Sequence, residues 1–336
     1  GSVEGDGPEV FSQVIGVEAD GLGRIYVLDR QIQEVRVFQE DGSYVRTLGR
    51  KGEGPGEFRG ADGLGWGPQG RLWVVDQRLH RFSVYDTSGN YVTSYRAPMR
   101  IRQWEWSGSL TASGELYDFS LVGSGDESRP VVLLFDTVGQ YPDTFALPHH
   151  ETEFFKYDIG SSSGMTEVPF SPKLTWLVGP SGALWSGVAD RYRIYRSTLE
   201  GDTLRAIERE YDPVEVSSGE REAAEARVRD FVKSKEIDLS RIPRYKPAFQ
   251  RFTVDEAGVL WVRVSDSAER AGSGLDVFDP DGRYLGQVRT RSRISQWPLF
   301  RVRGGNVYFV TTDEFDVPFV VRARIEGRAG GAAPIR

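Results

Sequence analysis

Short runs of alternating apolar and polar residues, each closed by a glycine-containing turn, fill most of the chain. The first unit reads VIGVEA (14–19), DGLG, RIYVLD (24–29), EVRVFQ (34–39), EDGS and YVRTLG (44–49). A period of two, β-branched and aromatic residues, and no helical pattern between the runs predict four short strands in an antiparallel meander. The second unit repeats it with LGWGP, RLWVVD, RFSVYD, TSGN and YVTSYR.

The second strand of the unit opens the same way six times, as glycine, a variable residue, an aliphatic residue and then Tyr or Trp. The copies begin at Gly23, Gly70, Gly114, Gly182, Gly258 and Gly305, and their aromatics are Tyr26, Trp73, Tyr117, Trp185, Trp261 and Tyr308. The turn before the fourth strand recurs as FQEDGSY, YDTSGNY, FDTVGQY and FDPDGRY. Its Gly supplies a positive φ and its Asp bonds the local backbone. Six such meanders without long helical crossovers predict an all-β, six-bladed β-propeller of four-stranded blades, in one domain over residues 1–336. The six aromatics are expected to pack between adjacent blades.

One segment departs from this period. In SSGEREAAEARVRDFVKSKE (217–236), Ser217 and Glu220 have capping-box spacing, and Ala224, Val228, Phe231 and Val232 form one apolar stripe. An amphipathic helix is expected there, between blades four and five, docked on the propeller or covering a binding mouth.

The stretch from Leu48 to Val92 resembles an NHL repeat, with a Gly-x-Gly-Pro-Gly-x-Phe linker at Gly52–Phe58, an Asp closing the second strand (Asp76) and an Arg opening the third (Arg81). The first repeat keeps GDGPEVF (5–11) and Asp29 but has Glu34 in place of the Arg. Later blades carry Ser120, Val188, Val264 and Thr311 where the Asp stood. The resemblance implies a six-bladed propeller of the kind that bacteria export, often as lipoproteins. An extracytoplasmic location, periplasmic or at the cell surface, is therefore expected, with a leader or lipid anchor upstream of Gly1.

Composition narrows the chemistry. There are no cysteines, so disulfides, thiolate catalysis and Cys-based zinc sites are excluded. The net charge of −7 argues against a general nucleic-acid binder. No apolar run is long enough for a membrane helix. Only His80, His149 and His150 could supply imidazole, and the last two are adjacent, so no zinc site is expected. The acidic turns lack calcium-loop spacing. No Gly-x-Ser-x-Gly elbow appears.

In this architecture the interblade links and the loops between second and third strands emerge on one face, here called the link face. Link two carries Arg100 and Arg102 beside Trp104 and Trp106, and link five carries Arg289, Arg291, Arg293 and Trp297. Links three and four add His149, His150, Lys156, Arg241, Arg244 and Lys246, and acidic loops lie between them. The expected role is a non-catalytic binding or scaffolding module without a cofactor. Arg100, Arg102, Trp104, Arg289, Arg291 and Arg293 would recognise a protein partner or an anionic small ligand. The competing class is a divalent-metal hydrolase or lactonase of the regucalcin or paraoxonase type. That type places one Glu and several Asn or Asp at the channel mouth, whereas Asn90 and Asn306 are the only asparagines here and both fall in predicted turns. Converging carboxylates at the mouth would favour the enzyme; aromatic and arginine walls would favour binding.

Ring closure is the remaining expectation. Blade six runs through LFRVRG, NVYFVTTD and PFVVRARI and is followed by EGRAGGAAPIR, which is poor strand material. The outer edge of Pro318–Ile325 is therefore expected to be open, a template for strand addition by a partner or a second copy.

Overall fold

The computed structural model describes residues 7–96, 106, 108–111, 113–123, 128–135, 143–159, 162–232 and 237–326. Six antiparallel sheets succeed one another around a ring, each ordered as the chain runs. Blade one is Val14–Ala19, Ile25–Asp29, Glu34–Phe38 and Tyr44–Leu48. Blade two is Ala61–Trp66, Leu72–Asp76, Arg81–Tyr85 and Tyr91–Arg96. Blade three is Ser109–Leu110, Leu116–Val122, Arg129–Phe135 and Asp143–Ala146. Blade four is Leu174–Val178, Leu184–Val188, Arg193–Ser197 and Thr203–Glu208. Blade five is Phe249–Val254, Leu260–Val264, Gly274–Phe278 and Tyr284–Arg289. Blade six has three strands among the described residues, Arg301–Arg303, Asn306–Thr312 and Pro318–Arg324.

The recurrent aromatics do what their spacing predicts. All six sit on second strands and are 2–6% exposed. Each shares an apolar cluster with the next blade: Tyr26 with Leu64 and Leu72, Trp73 with Leu116 and Phe135, Tyr117 with Val178 and Leu184. Trp185 meets Phe249 and Leu260, Trp261 meets Val307 and Phe309, and Tyr308 meets Val17 and Ala19. The core is thus a ring of interblade contacts. A four-stranded sheet cannot bury both of its faces alone, so each blade is stable only against its neighbours.

Blade six joins blade one through that last cluster and through arginines. Arg301 Nε lies 2.6 Å from Glu18 Oε1, Arg303 Nη1 donates to Ala19 O at 2.6 Å, and Arg322 pairs with Glu40. Among the described residues no strand pairs with the outer edge of Pro318–Arg324.

Two bulges recur from blade to blade. In blades one, two and five the register of the first strand slips by one residue, leaving Ile15, Asp62 and Gln250 as the extra residue. In blades one, two, four and five the fourth strand slips likewise at Val45, Val92, Leu204 and Leu285. The first set lies where the chain enters from an interblade link. A bulge there redirects a side chain without disturbing the ladder beyond it.

Links three and four carry extra structure. Link three folds as a hairpin, Phe154–Ile159 with Ser162–Glu167, which the sequence pattern did not foresee as an element. Link four contains the expected helix at Ser218–Val232. Its N-terminus is the predicted capping box: Glu220 N donates to Ser217 Oγ at 3.3 Å and Ser217 N donates to Glu220 Oε2 at 3.1 Å. Ala224, Val228 and Val232 are buried, and the two valines pack with Phe155 of the hairpin, Val168 just after it, and Ile242. Phe231 departs from the expected stripe. It is 65% exposed and makes an edge-on ring contact with Tyr157. Positions 233–236 of the expected helix lie outside the described residues.

Candidate functional site

The link face is built on buried acids and arginines. Fully buried Asp76 accepts from Arg59 N, Gly60 N and Leu79 N, while Arg81 donates to Glu53 O, Gly54 O and Glu57 O. Together they fix the Gly-rich linker over blade two. Blade one repeats this. Asp29 accepts from Ser12 N, Gln13 N and Gln31 N, and Arg36 donates to Pro8 O and Val10 O. The Arg missing at position 34 is replaced two residues on, on the same strand face.

Asp62, the bulge residue of blade two, is 2% exposed, and Arg30 Nε lies 3.3 Å from its Oδ1. Burial pushes its carboxyl up to about 7, against the opposing pull of Arg30 and with a like-charge contribution from Asp76. The native state therefore holds this proton more tightly than the unfolded chain does. The resulting stabilisation is complete below about pH 4 and is lost as pH rises through about 7. An Asp62→Asn variant is expected to flatten the pH dependence of melting between pH 5 and 8, gaining most at the alkaline end. An unchanged slope would show that the carboxyl titrates normally.

The helix and hairpin roof part of the link face. Beneath them lies a cavity of about 550 Å³. Phe170, Phe231, Phe249 and Val228 give it apolar walls, and Arg227, Arg251 and Arg263 give it charge. Phe170, Pro247, Gln250 and Arg263 are shared with a smaller chamber of about 100 Å³, which Lys246, Ser265 and Arg293 also line. A larger cleft of about 910 Å³ lies beside blades four and five. Within it Arg193 pairs with Glu208, while Arg209 and Asp266 pair with Asp276 and Arg289 beyond its lining. The roofed cavity is the better candidate because it joins aromatic walls to arginines under a cover of helix and hairpin.

Arg251 and Arg263 are direct cross-strand partners in blade five. At the same register blade one has Gly16 opposite Leu28, and blade two has Gly63 opposite Val75. Like charges directly opposite each other destabilise a sheet. Arg251 lies over the ring of Trp297, 3.8 Å from its centroid, and Arg263 donates to Ser295 O at 2.8 Å. Burial pushes Arg263 down to about 10; Asp266 opposes the shift, and the Arg251 and Arg293 charges add to it. Arg227, on the helix above, has no ion pair among the described residues.

Of the residues expected from sequence, Arg289 and Arg293 come together on one loop. Arg289 pairs with Asp266 at 2.6 Å and donates to Ala271 O. Arg293 donates to Ser267 O, Ala268 O and Arg270 O, yet still lines the small chamber. Arg291 is exposed. Arg100, Arg102 and Trp104 lie outside the described residues. Trp106 is packing rather than a ligand wall: its ring covers Gly63, where an added Cβ would come within 2.7 Å of it. In link four, Arg244 pairs with Glu215 and Lys246 with Glu220. His150 Nε2 lies 3.0 Å from Pro172 O.

Sequence reasoning passed over Arg251, Arg263, Gln250 and Ser265. A signal existed for Arg263. LWVRV places a charge where IYVLD and LWVVD place the buried Leu28 and Val75.

Residues 11–119 match the model of the DUF5128 family, described as a 6-bladed beta-propeller. No curated protein matches the chain in sequence. Solved structures resemble it over nearly the whole chain. A candidate exported protein from Bacteroides fragilis is 12% identical with a TM-score of 0.53, covering 96% of this chain and 93% of its own. A gluconolactonase from Xanthomonas campestris is 14% identical with a TM-score of 0.49, covering 94% and 87%. Virginiamycin B lyase from Staphylococcus aureus is 12% identical with a TM-score of 0.42, covering 94% and 85%. At these identities the likeness is one of fold. The class is thus a six-bladed β-propeller.

Proposed function

We propose that this chain is a binding propeller of NHL type that recognises an anionic ligand, or an acidic group of a protein partner, on its link face. The observation that carries this reading is the Arg251–Arg263 pair. Two arginines are direct partners across adjacent strands at the floor of a roofed cavity, where blades one and two have glycine opposite an aliphatic residue. An isolated sheet gains nothing from that pairing, whereas a bound anion turns mutual repulsion into two charge-assisted contacts. The walls are aromatic and cationic. The carboxylates lining the two chambers already have protein partners: Glu167 pairs with Lys173, Glu220 accepts from Lys246, and Asp266 accepts from Arg289 and Gly274 N. That balance favours binding over the hydrolase or lactonase alternative. Arg291 contributes to recognition in this proposal, as do Arg100, Arg102 and Trp104, which the sequence assigns to it, and a single domain with an extracytoplasmic location belongs to the same reading.

Phenyl phosphate is a suitable probe. Its affinity is expected to fall as salt rises and to fall about tenfold or more in Arg263→Gln, since a hydrogen bond to a charged group contributes about 1.5–3 kcal/mol. Arg227→Ala, on the helix surface, is expected to weaken binding without altering the melting temperature. Affinity insensitive to salt and to both substitutions, read by titration calorimetry, would remove the anion from this site.

A further inference from the structure

The two adjoining chambers differ in kind, and this difference narrows the ligand class; the inference rests on the anion-binding reading above. The smaller chamber, about 100 Å³, is polar. Lys246 is only 7% exposed; its Nζ donates to Glu220 Oε1 and to Asp266 O, at 2.5 and 2.7 Å. Its neighbour Ser265 is 8% exposed, and Ser265 Oγ has no hydrogen-bond partner among the described residues. A buried hydroxyl without a partner is uncommon and calls for an explanation. The bulge at Gln250 sets that side chain on the wall common to both chambers, with Arg263 beside it. Guanidinium, hydroxyl and carboxamide donors therefore line a space of compact-oxyanion size, together with Glu220 and Asp266, whose carboxylates already accept from Lys246 and from Arg289 and Gly274 N.

The larger chamber is of the opposite character. Phe170, Phe231 and Phe249 line it with Val228, and its volume of about 550 Å³ falls in the range of small-molecule sites. Phe170 holds a φ of +61°, a left-handed conformation uncommon for an aromatic residue. Strained backbone of this kind is often found at ligand sites. Phe231 is the residue that left the helix's apolar stripe. It is largely exposed at the cavity wall, where an apolar ligand body would cover it.

We infer that the site takes an amphiphilic anion, with a compact oxyanion head in the small chamber on Arg263, Ser265 and Gln250, and an aromatic or alkyl body in the larger chamber against Phe231 and Phe249. Phosphate monoesters, sulfate monoesters and carboxylates share this chemistry, and phenyl phosphate, phenyl sulfate and benzoate distinguish them by rank.

The test measures phenyl phosphate and inorganic phosphate on the full chain and on two variants. Ser265→Ala removes one hydroxyl and is expected to weaken both probes about fivefold. Phe231→Ala is expected to weaken phenyl phosphate about fivefold and to leave inorganic phosphate unchanged. Benzyl alcohol, without the charge, is expected not to bind. If phenyl phosphate binding is lost in Arg263→Gln but untouched by Ser265→Ala and Phe231→Ala, the two-chamber assignment is wrong and the anion-binding reading stands. If the unmodified chain binds neither phosphate probe, phenyl sulfate nor benzoate, the reading itself falls and the assignment with it.

Discussion

Replacing Trp73 by alanine is expected to lower stability by about 3–5 kcal/mol, the range for truncating a buried aromatic residue. Trp73 is 5% exposed and stacks on Tyr95, with ring centroids 5.1 Å apart and planes 11° apart. Phe82 lies against it at 6.0 Å, and the same cluster takes in Leu116 and Phe135 of blade three. The cavity would open at an interface between blades, where each strand is already hydrogen-bonded and cannot move in to fill it. Against a typical stability of about 5–15 kcal/mol this is a large loss. Trp73→Phe is expected to cost less than half as much. It keeps a ring in the stack and removes the indole Nε1, which is buried without a partner among the described residues. Urea denaturation of the two variants separates these effects. Equal losses would place the energy in the indole edge rather than in the stack.

The ring of blades was legible because its signal is local. Each second strand carries its own aromatic, and four of the turns before the fourth strand carry their own Gly and Asp, so a short motif announces a whole unit. The signal faded where structure stayed constant but side chains did not. Leu204 forms the same fourth-strand bulge as Val45, Val92 and Leu285, although its turn, STLEGDT, has Ser197 and Thr203 where the other three have aromatic residues, and the backbone register reveals the match. The hairpin at Phe154–Glu167 was missed for a different reason. Its FFKYDI and SSGMTE strands lie inside a link, where a propeller pattern leads one to expect no strands. The candidate site was the least legible part. Charge counting pointed to the links, and Arg289 and Arg293 do lie there, but much of their hydrogen bonding goes to one loop of blade five. Arg251 and Arg263 sit inside strands. They become conspicuous only when the register sets them opposite each other and against Gly16, Leu28, Gly63 and Val75 in sister blades. A charge at a core register is a pairwise fact, and single positions do not show it.

The loss from Asp76→Ala is expected to be of the same size, by a different mechanism. The Asp76 side chain is fully buried and makes almost no apolar contribution, so area arguments assign it little. Its two oxygens accept from three backbone N–H groups, Arg59 at 2.8 Å, Gly60 at 3.2 Å and Leu79 at 2.9 Å. The first two belong to the entry of blade two and the third to the turn after its second strand. Alanine would leave all three donors without their acceptor, and each buried group left unpaired costs about 1–3 kcal/mol. Water reaching the turn would relieve part of this, so a net loss of about 3–5 kcal/mol is expected. One effect opposes it. Asp76 is among the groups that raise the Asp62 carboxyl, so its removal lets that carboxyl ionise at lower pH and offsets part of the loss where it is ionised. The loss should therefore be larger at pH 5, where Asp62 is protonated in either case, than at pH 8. Asp76→Asn is the control, since it keeps one acceptor oxygen but turns an amide N–H₂ toward backbone donors, and it should recover less than half of the loss. Denaturation at the two pH values reads both quantities. A loss below about 1 kcal/mol for Asp76→Ala would mean that the linker finds other acceptors. The Asp that closes the second strand would then be a marker of the repeat and not the group that anchors it.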